Sequence, residues 1–177
     1  MGLAENPQKG DTECVKVVIV EDMASDAKLS LRSFKKCGIP CDVTVLSDGN
    51  MALEHLLDPL AAIPDLIVLD FNLPYHNGLE ILLCLRGHAH TQFVPIVIFS
   101  GTNQEETLQA CYSAGANSCV TKPDDPGDYV GRLGLAASYW LTVNQCTHAP
   151  TRPSRRNGEL TDGRQRAADP GGGGARC

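Results

Sequence analysis

The chain has 177 residues, 42% of them apolar, with a formal charge of -6 and an isoelectric point near 5.3. That length and apolar content suit one compact domain with its own core. The acidic balance and the 5% aromatic content exclude a general nucleic-acid binder, which needs a basic face, and a stacking platform for single strands. No run approaches the roughly 18 apolar residues of a membrane span, and Met1 to Glu13 is polar with no apolar signal core, so a cytoplasmic setting is expected.

The first apolar run, Val15 to Val20, is rich in β-branched residues and reads as a strand. Ala27, Leu31 and Phe34 then recur at helical spacing, and Gly38 stands where a C-terminal cap belongs. Cys41 to Leu46 is the second strand, and Gly49 to Leu57 a helix that stops before Pro59. Residues 66–69 form the third strand, 79–86 a short helix and 95–99 the fourth strand. Gln104 to Ala114 predicts a helix with Leu108, Cys111 and Tyr112 inward and Gly115 as its stop. Ser118 to Thr121 is the fifth strand. Asp125-Pro126 reads as an N-cap followed by proline at the first helical position, opening a helix to about Trp140. The first, third and fourth strands are almost continuously apolar, as strands buried on both faces require. Strands alternating with helices predict an α/β fold, a flavodoxin-like (βα)5 doubly wound parallel sheet of strand order 2-1-3-4-5.

A flexible segment is expected over residues 1–13 and the domain over 14–146. Residues 147–177 hold six arginines, Pro150, Pro153, Pro170 and the run Gly171 to Gly174. They lack apolar periodicity and are expected to form a disordered tail. No second folded domain is expected after the first. The eight cysteines are scattered without a CxxC pair and read as small core hydrophobes, with Cys177 the most reactive. His55, His76, His88, His90 and His148 share no metal-ligand spacing.

In an open parallel sheet, sites form outside the carboxyl ends of the strands. The first strand is followed by Glu21-Asp22, the third by Asp70-Phe71-Asn72-Leu73-Pro74, the fourth by Ser100-Gly101-Thr102 and the fifth by Lys122-Pro123. In the expected strand order these ends share one crevice, which gathers three carboxylates, a hydroxyl and an ammonium. Three close carboxylates repel, and a hard divalent cation such as Mg²⁺ relieves that repulsion. A metal, a cation and hydrogen-bond donors around one carboxylate are what phosphoryl transfer to Asp70 requires. Taken singly, Glu21-Asp22 reads as a helix cap, Asp70 as a turn residue, Ser100 as a strand-end hydroxyl and Lys122 as a surface lysine. Their common placement at one sheet edge is what points to function.

This set, with Gly78-Leu79-Glu80 and Gly115-Ala116-Asn117-Ser118 around it, resembles the receiver domain of two-component response regulators over roughly Val15 to Trp140. Within that family the chain is similar to small stand-alone regulators paired with phytochrome-type histidine kinases, which likewise end in an aromatic helix like Tyr139-Trp140-Leu141. The resemblance implies that Asp70 accepts a phosphoryl group from a kinase phosphohistidine. It implies that Asp22 and Asp70 ligate Mg²⁺ with the Asn72 carbonyl, and that Glu21 acts through a metal-bound water. Ser100 and Lys122 would hold phosphoryl oxygens, Asn72 and Thr102 would tune phosphate lifetime, and Lys122-Pro123 would be a cis peptide. The implied partner is a sensor histidine kinase, with no nucleic acid and no membrane. A homodimer is expected through the face of the fourth helix, fifth strand and fifth helix. The family's aromatic switch position, three before the lysine, holds Cys119, so the switch is expected to be smaller or packed differently. Two alternatives stand beside this reading. One is a degenerate receiver serving as a constitutive interaction module. The other is an aspartate-nucleophile phosphohydrolase, for which the D-x-D-like motif after the first strand and a substrate cap are missing.

Overall fold

A computed structural model describes residues 14–145. The segments expected over 1–13 and 147–177 lie outside the described residues. Five parallel strands, β1 (Val15–Val20), β2 (Cys41–Leu46), β3 (Leu66–Leu69), β4 (Ile96–Ser100) and β5 (Ser118–Thr121), form one sheet of order β2-β1-β3-β4-β5. Between and after them lie α1 (Ala24–Lys36), α2 (Gly49–Leu57), α3 (Gly78–Gly87), α4 (Glu105–Ser113) and α5 (Pro126–Ser138). This is the flavodoxin-like α/β fold expected from the alternating pattern. No helix among the described residues is long and apolar enough to cross a membrane.

The period-2 alternation of strand side chains divides the core in two. Val17, Ile19, Leu66, Val68, Val97 and Phe99 face α1 and α5, meeting Phe34, Tyr129, Leu133 and Ala137. Val18, Val20, Ile67, Leu69, Ile96 and Ile98 face the other way, against Ala52, Leu56, Ile81, Leu82, Leu85 and Cys111. Both faces of β1, β3 and β4 are therefore covered, which is why these strands carry no polar alternation.

Helix ends follow their local chemistry. Gly38 and Gly115 take φ values of +74° and +95° after α1 and α4, left-handed stops that a Cβ disfavours. The Asp125 carboxylate accepts from the amides of Gly127 and Asp128 and so opens α5. Asn77 and Glu80 form a reciprocal capping box at the start of α3.

Three expectations are corrected. The Lys122–Pro123 peptide is trans, since no cis peptide occurs among the described residues. A trans X–Pro bond is also the intrinsically favoured isomer. Tyr112 is 53% exposed, not inward. Cys111 alone takes the core position on α4, while the Tyr112 hydroxyl accepts from the Cys119 amide at 3.2 Å on edge strand β5. An outward edge amide needs an acceptor, and the tyrosine supplies it. Lastly, α5 does not stay α-helical to Trp140. It widens into a π-helical turn over Tyr139–Val143. There the Trp140 indole donates to Ser118 Oγ at 3.1 Å and its ring packs against the α1/α5 core.

Candidate functional site

The register of the sheet brings the strand ends together. Val20 pairs with Leu69, Leu69 with Ile98, and Ser100 with Thr121. The ladder runs one step past the strands: the Asp70 amide donates to the Val20 carbonyl, and the Lys122 amide to the Ser100 carbonyl. Glu21, Asp70, Ser100 and Lys122 therefore stand side by side along one edge.

Glu21, Asp70 and Ser100 are buried there at 4%, 7% and 3% exposure, an unusual concentration of polar groups in a core edge. The Lys122 ammonium donates to Glu21 Oε2 at 2.5 Å, Asp70 Oδ2 at 2.6 Å and Asp26 Oδ2 at 3.1 Å. The other Asp70 oxygen accepts from the Asn72 amide at 3.0 Å. The Glu21 carboxylate also caps the turn by accepting from the Met23 amide. Ser100 Oγ accepts from the Thr102 amide at 3.4 Å.

The loop from β3 to α3 is held close to Asp70. The Gly78 amide donates to the Phe71 carbonyl at 2.8 Å. A Cβ on Gly78 would lie 2.5 Å from the Asp70 carbonyl oxygen, so only glycine lets α3 begin this near the site. At the outer part of this loop Tyr75 is 80% exposed and has φ of +68°, a left-handed conformation unusual for an aromatic residue.

Electrostatics follow from this crowding. Burial pushes the Glu21 carboxyl up to about 7, despite the opposing hydrogen bond and charge of Lys122, and the Asp70 charge adds to the rise. Burial works to lower the Lys122 ammonium, but hydrogen bonds to Asp70 and Glu21 and their charges outweigh it and raise it above its ordinary value. The ammonium therefore stays charged at any physiological pH.

Glu21, Asp22 and Asp70 offer carboxylate oxygens that all lie within 4.8 Å of one another. With Asp26 alongside, four acids face one ammonium. An oxygen-rich cluster with excess negative charge fits a hard divalent cation.

The structure thus gathers Glu21, Asp22, Asp70 and Lys122, and sets Ser100 beside Lys122 on the neighbouring strand. Asn72 touches Asp70 through its amide. Asp26, in the first turn of α1, was not singled out from the sequence. An acid in the first turn of a helix reads as a dipole partner, and nothing local reveals a lysine 96 positions away.

Comparison with known proteins agrees with this geometry. The family model described as "Response regulator receiver domain" matches residues 17–133. Response regulator Rcp1 of Synechocystis is 27% identical over 129 residues, covering 71% of this chain and 88% of Rcp1. The crystal structure of the Mn²⁺-bound form of Rcp1 superposes with a TM-score of 0.71 at 26% identity, over 75% of this chain and 99% of that one. The phosphorylated cyanobacterial phytochrome response regulator RcpA gives 0.72 at 26% identity, over 75% and 98%. A response regulator from Hahella chejuensis gives 0.69 at 35% identity, over 75% and 99%.

Proposed function

Because the chain belongs to the response regulator receiver family, we propose that it is the phosphoacceptor of a two-component system, taking a phosphoryl group onto Asp70 from the phosphohistidine of a sensor histidine kinase. The observation that carries this reading is the convergence of Glu21, Asp22 and Asp70 within 4.8 Å, with Lys122 hydrogen-bonded to Asp70. In the step, a carboxylate oxygen of Asp70 bonds to phosphorus. The phosphorus–nitrogen bond breaks, and its electron pair returns to the imidazole of the donor.

Asp22 and Asp70, with the Asn72 carbonyl, are assigned to Mg²⁺, and Glu21 to a water on it. The bound cation would supply charge neutralisation for the phosphoryl oxygens. The chain's own groups do the rest. Lys122 keeps a fixed positive charge at the acceptor. Ser100 offers a buried hydroxyl at the neighbouring strand end, and Gly101 leaves that approach open. Asn72 and Thr102 flank the site and would set the lifetime of the phosphoryl group. The protein would thereby catalyse only its own phosphorylation and dephosphorylation.

A phytochrome-type kinase is the proposed partner, supported by the phytochrome response regulators among its structural relatives. Self-association is proposed through α4, β5 and α5. Leu135 on α5 is 75% exposed, and Tyr139 and Val143 on the π-helical turn that follows it are 50% and 67% exposed, next to a Trp140 already engaged within its own chain. The deciding experiment is labelling with acetyl phosphate or a kinase in Mg²⁺. Wild type is expected to form a hydroxylamine-labile acyl phosphate and Asp70→Asn to form none. Equal labelling of the two would refute the assignment.

A further inference from the structure

We infer that Asp26 is a positioning residue that restrains Lys122 in the resting protein and releases it to the phosphoryl group, so that it acts as a brake on phosphorylation; this rests on the acceptor reading of Asp70.

An ammonium has three N–H donors. In the structure all three are engaged by carboxylates: Glu21 at 2.5 Å, Asp70 at 2.6 Å and Asp26 at 3.1 Å. A phosphoryl group arriving on Asp70 consumes the carboxylate that Lys122 holds there and brings three further oxygens and added negative charge, so Lys122 must shift towards the new oxygens, and its bonds to Glu21 and Asp26 resist that shift. The Glu21 contact is short and its carboxylate is 3% exposed. The Asp26 contact is the longest of the three, and its side chain is 28% exposed. Bulk water reaches Asp26 more readily than it reaches Glu21. Of the two bonds that remain, the one to Asp26 is thus given up first.

Asp26 is aimed, not loose. Its Oδ1 accepts from Ser25 Oγ at 3.3 Å, which turns Oδ2 towards the lysine. Its backbone carbonyl accepts from the Tyr129 hydroxyl at 3.3 Å. That hydroxyl also meets Ser30 Oγ at 3.0 Å, and the Tyr129 ring stands edge-on to Phe99 with centroids 4.9 Å apart. The first turn of α1 is thereby fixed to α5, whose Tyr129 ring rests on Phe99, the residue before Ser100 on β4. Asp26 also adds a negative charge at the mouth of the site, which opposes an anionic phosphodonor.

The test is the second-order rate of phosphorylation by acetyl phosphate in Mg²⁺, followed on phosphate-affinity gels, for wild type, Asp26→Asn and Asp26→Glu. In this reaction the Asp70 oxygen displaces acetate, and the electron pair of the broken P–O bond leaves on the acetate oxygen. Asp26→Asn is expected to react roughly threefold or more faster at low ionic strength, with the gain shrinking as salt is added. Asp26→Glu, which restores the charge and the acceptor, is expected to return the rate towards wild type. An Asn variant that reacts at the wild-type rate or slower, or a Glu variant as fast as Asn, would overturn the brake while leaving Asp70 as acceptor. Failure of wild type itself to label would overturn the acceptor reading and this one with it. A urea double-mutant cycle of Asp26→Asn with Lys122→Met reads the contact without a phosphodonor, and additive midpoint shifts would also overturn it.

Discussion

Lys122 and Asp70 are 52 positions apart in sequence, yet the lysine ammonium lies 2.6 Å from the aspartate carboxylate, at the ends of strands separated in the sheet by β4. The same ammonium neutralises Glu21, so one cation holds together two buried acids. Removing it leaves those acids unpaired. We expect Lys122→Met to lose about 3 kcal/mol of stability in chelator at pH 8, the scale of a broken buried pair. Saturating Mg²⁺ should recover much of that loss, because the metal and the lysine neutralise overlapping charge. Urea unfolding with and without Mg²⁺ measures both, and a loss that Mg²⁺ leaves untouched would contradict the shared role.

Glu21 gives a pH dependence of definite sign. Its carboxyl rises from an ordinary 4.5 to about 7 in the folded chain. The folded state therefore binds this proton more tightly than the unfolded state does. The stability from Glu21 is fully present below about 4.5 and is lost as pH rises through about 7. A shift of this size corresponds to about 3 kcal/mol. Metal-free wild type should thus lose stability relative to Glu21→Gln between pH 5 and 8, as read by urea midpoints. Divalent affinity should run the opposite way, weakening as pH falls towards 5, since a cation needs the ionised carboxylate. Parallel midpoint curves for the two proteins would show that burial leaves Glu21 unshifted.

The metal assignment separates Asp22 from its neighbours. Asp22 is the exposed member of the cluster, and no hydrogen bond from Lys122 reaches it. Asp22→Ala should leave the fold intact and lower Mn²⁺ affinity roughly tenfold or more, since even groups that only support a metal ligand cost about that much. Calorimetric titration with Mn²⁺ checks it, and wild-type affinity in the variant would remove Asp22 from the site.

The fold was legible because each buried strand is a short apolar run ending in a turn, and because the helices announce themselves by spacing and by caps such as Gly38, Gly115 and Asp125. The site was legible for the same reason: Glu21-Asp22, Asp70, Ser100 and Lys122 stand at strand ends, where the topology converts chain order into proximity. What stayed hidden needs tertiary contact. Asp26 meets Lys122 only because α1 packs against α5, the helix that follows β5. Tyr112 fits the inward spacing of α4, but the open amide of edge residue Cys119 draws its hydroxyl outward. Arg86, in the last turn of α3, reads locally as a dipole partner. Its role depends on carbonyls of the following loop and on the Gly115 carbonyl and the Asn117 side chain, 29 and 31 positions along the chain.

The strained tyrosine at the site's rim can be tested for its cost. Tyr75 holds φ of +68° while its side chain is 80% exposed, so little packing compensates for the conformation. Asn adopts the left-handed region more readily than an aromatic residue. Tyr75→Asn should therefore gain up to about 1 kcal/mol in urea. No gain, or a loss, would mean that the ring makes compensating contacts with the loop.

Arg86 offers the sharpest test of what holds the fold opposite the site. Its Nε donates to the Gly115 carbonyl at 2.8 Å, one terminal nitrogen to the Val94 carbonyl at 2.9 Å and the Gln92 carbonyl at 3.2 Å, and the other to Asn117 Oδ1 at 2.6 Å. Asn117 Oδ1 in turn accepts from the Ile96 amide at 2.8 Å, at the start of β4. One guanidinium thus ties the end of α3 to the α4–β5 turn and the entry to β4, with no carboxylate in the cluster. Burial pulls its pKa below the ordinary value, yet a planar fork of donors suits this set of oxygens. Lysine has the charge but only three donors on one point, too few and too close together to reach the Gly115, Gln92 and Val94 carbonyls and Asn117 Oδ1 from this position. Arg86→Lys should cost about 2 kcal/mol or more and Arg86→Ala a similar amount, because in both the carbonyls are left without their donors. Asn117→Ala should be strongly non-additive with Arg86→Ala, since the two side chains share one network. Urea midpoints of the single and double variants decide it. Full rescue by lysine would show that the charge, and not the fork, is what this corner of the fold requires.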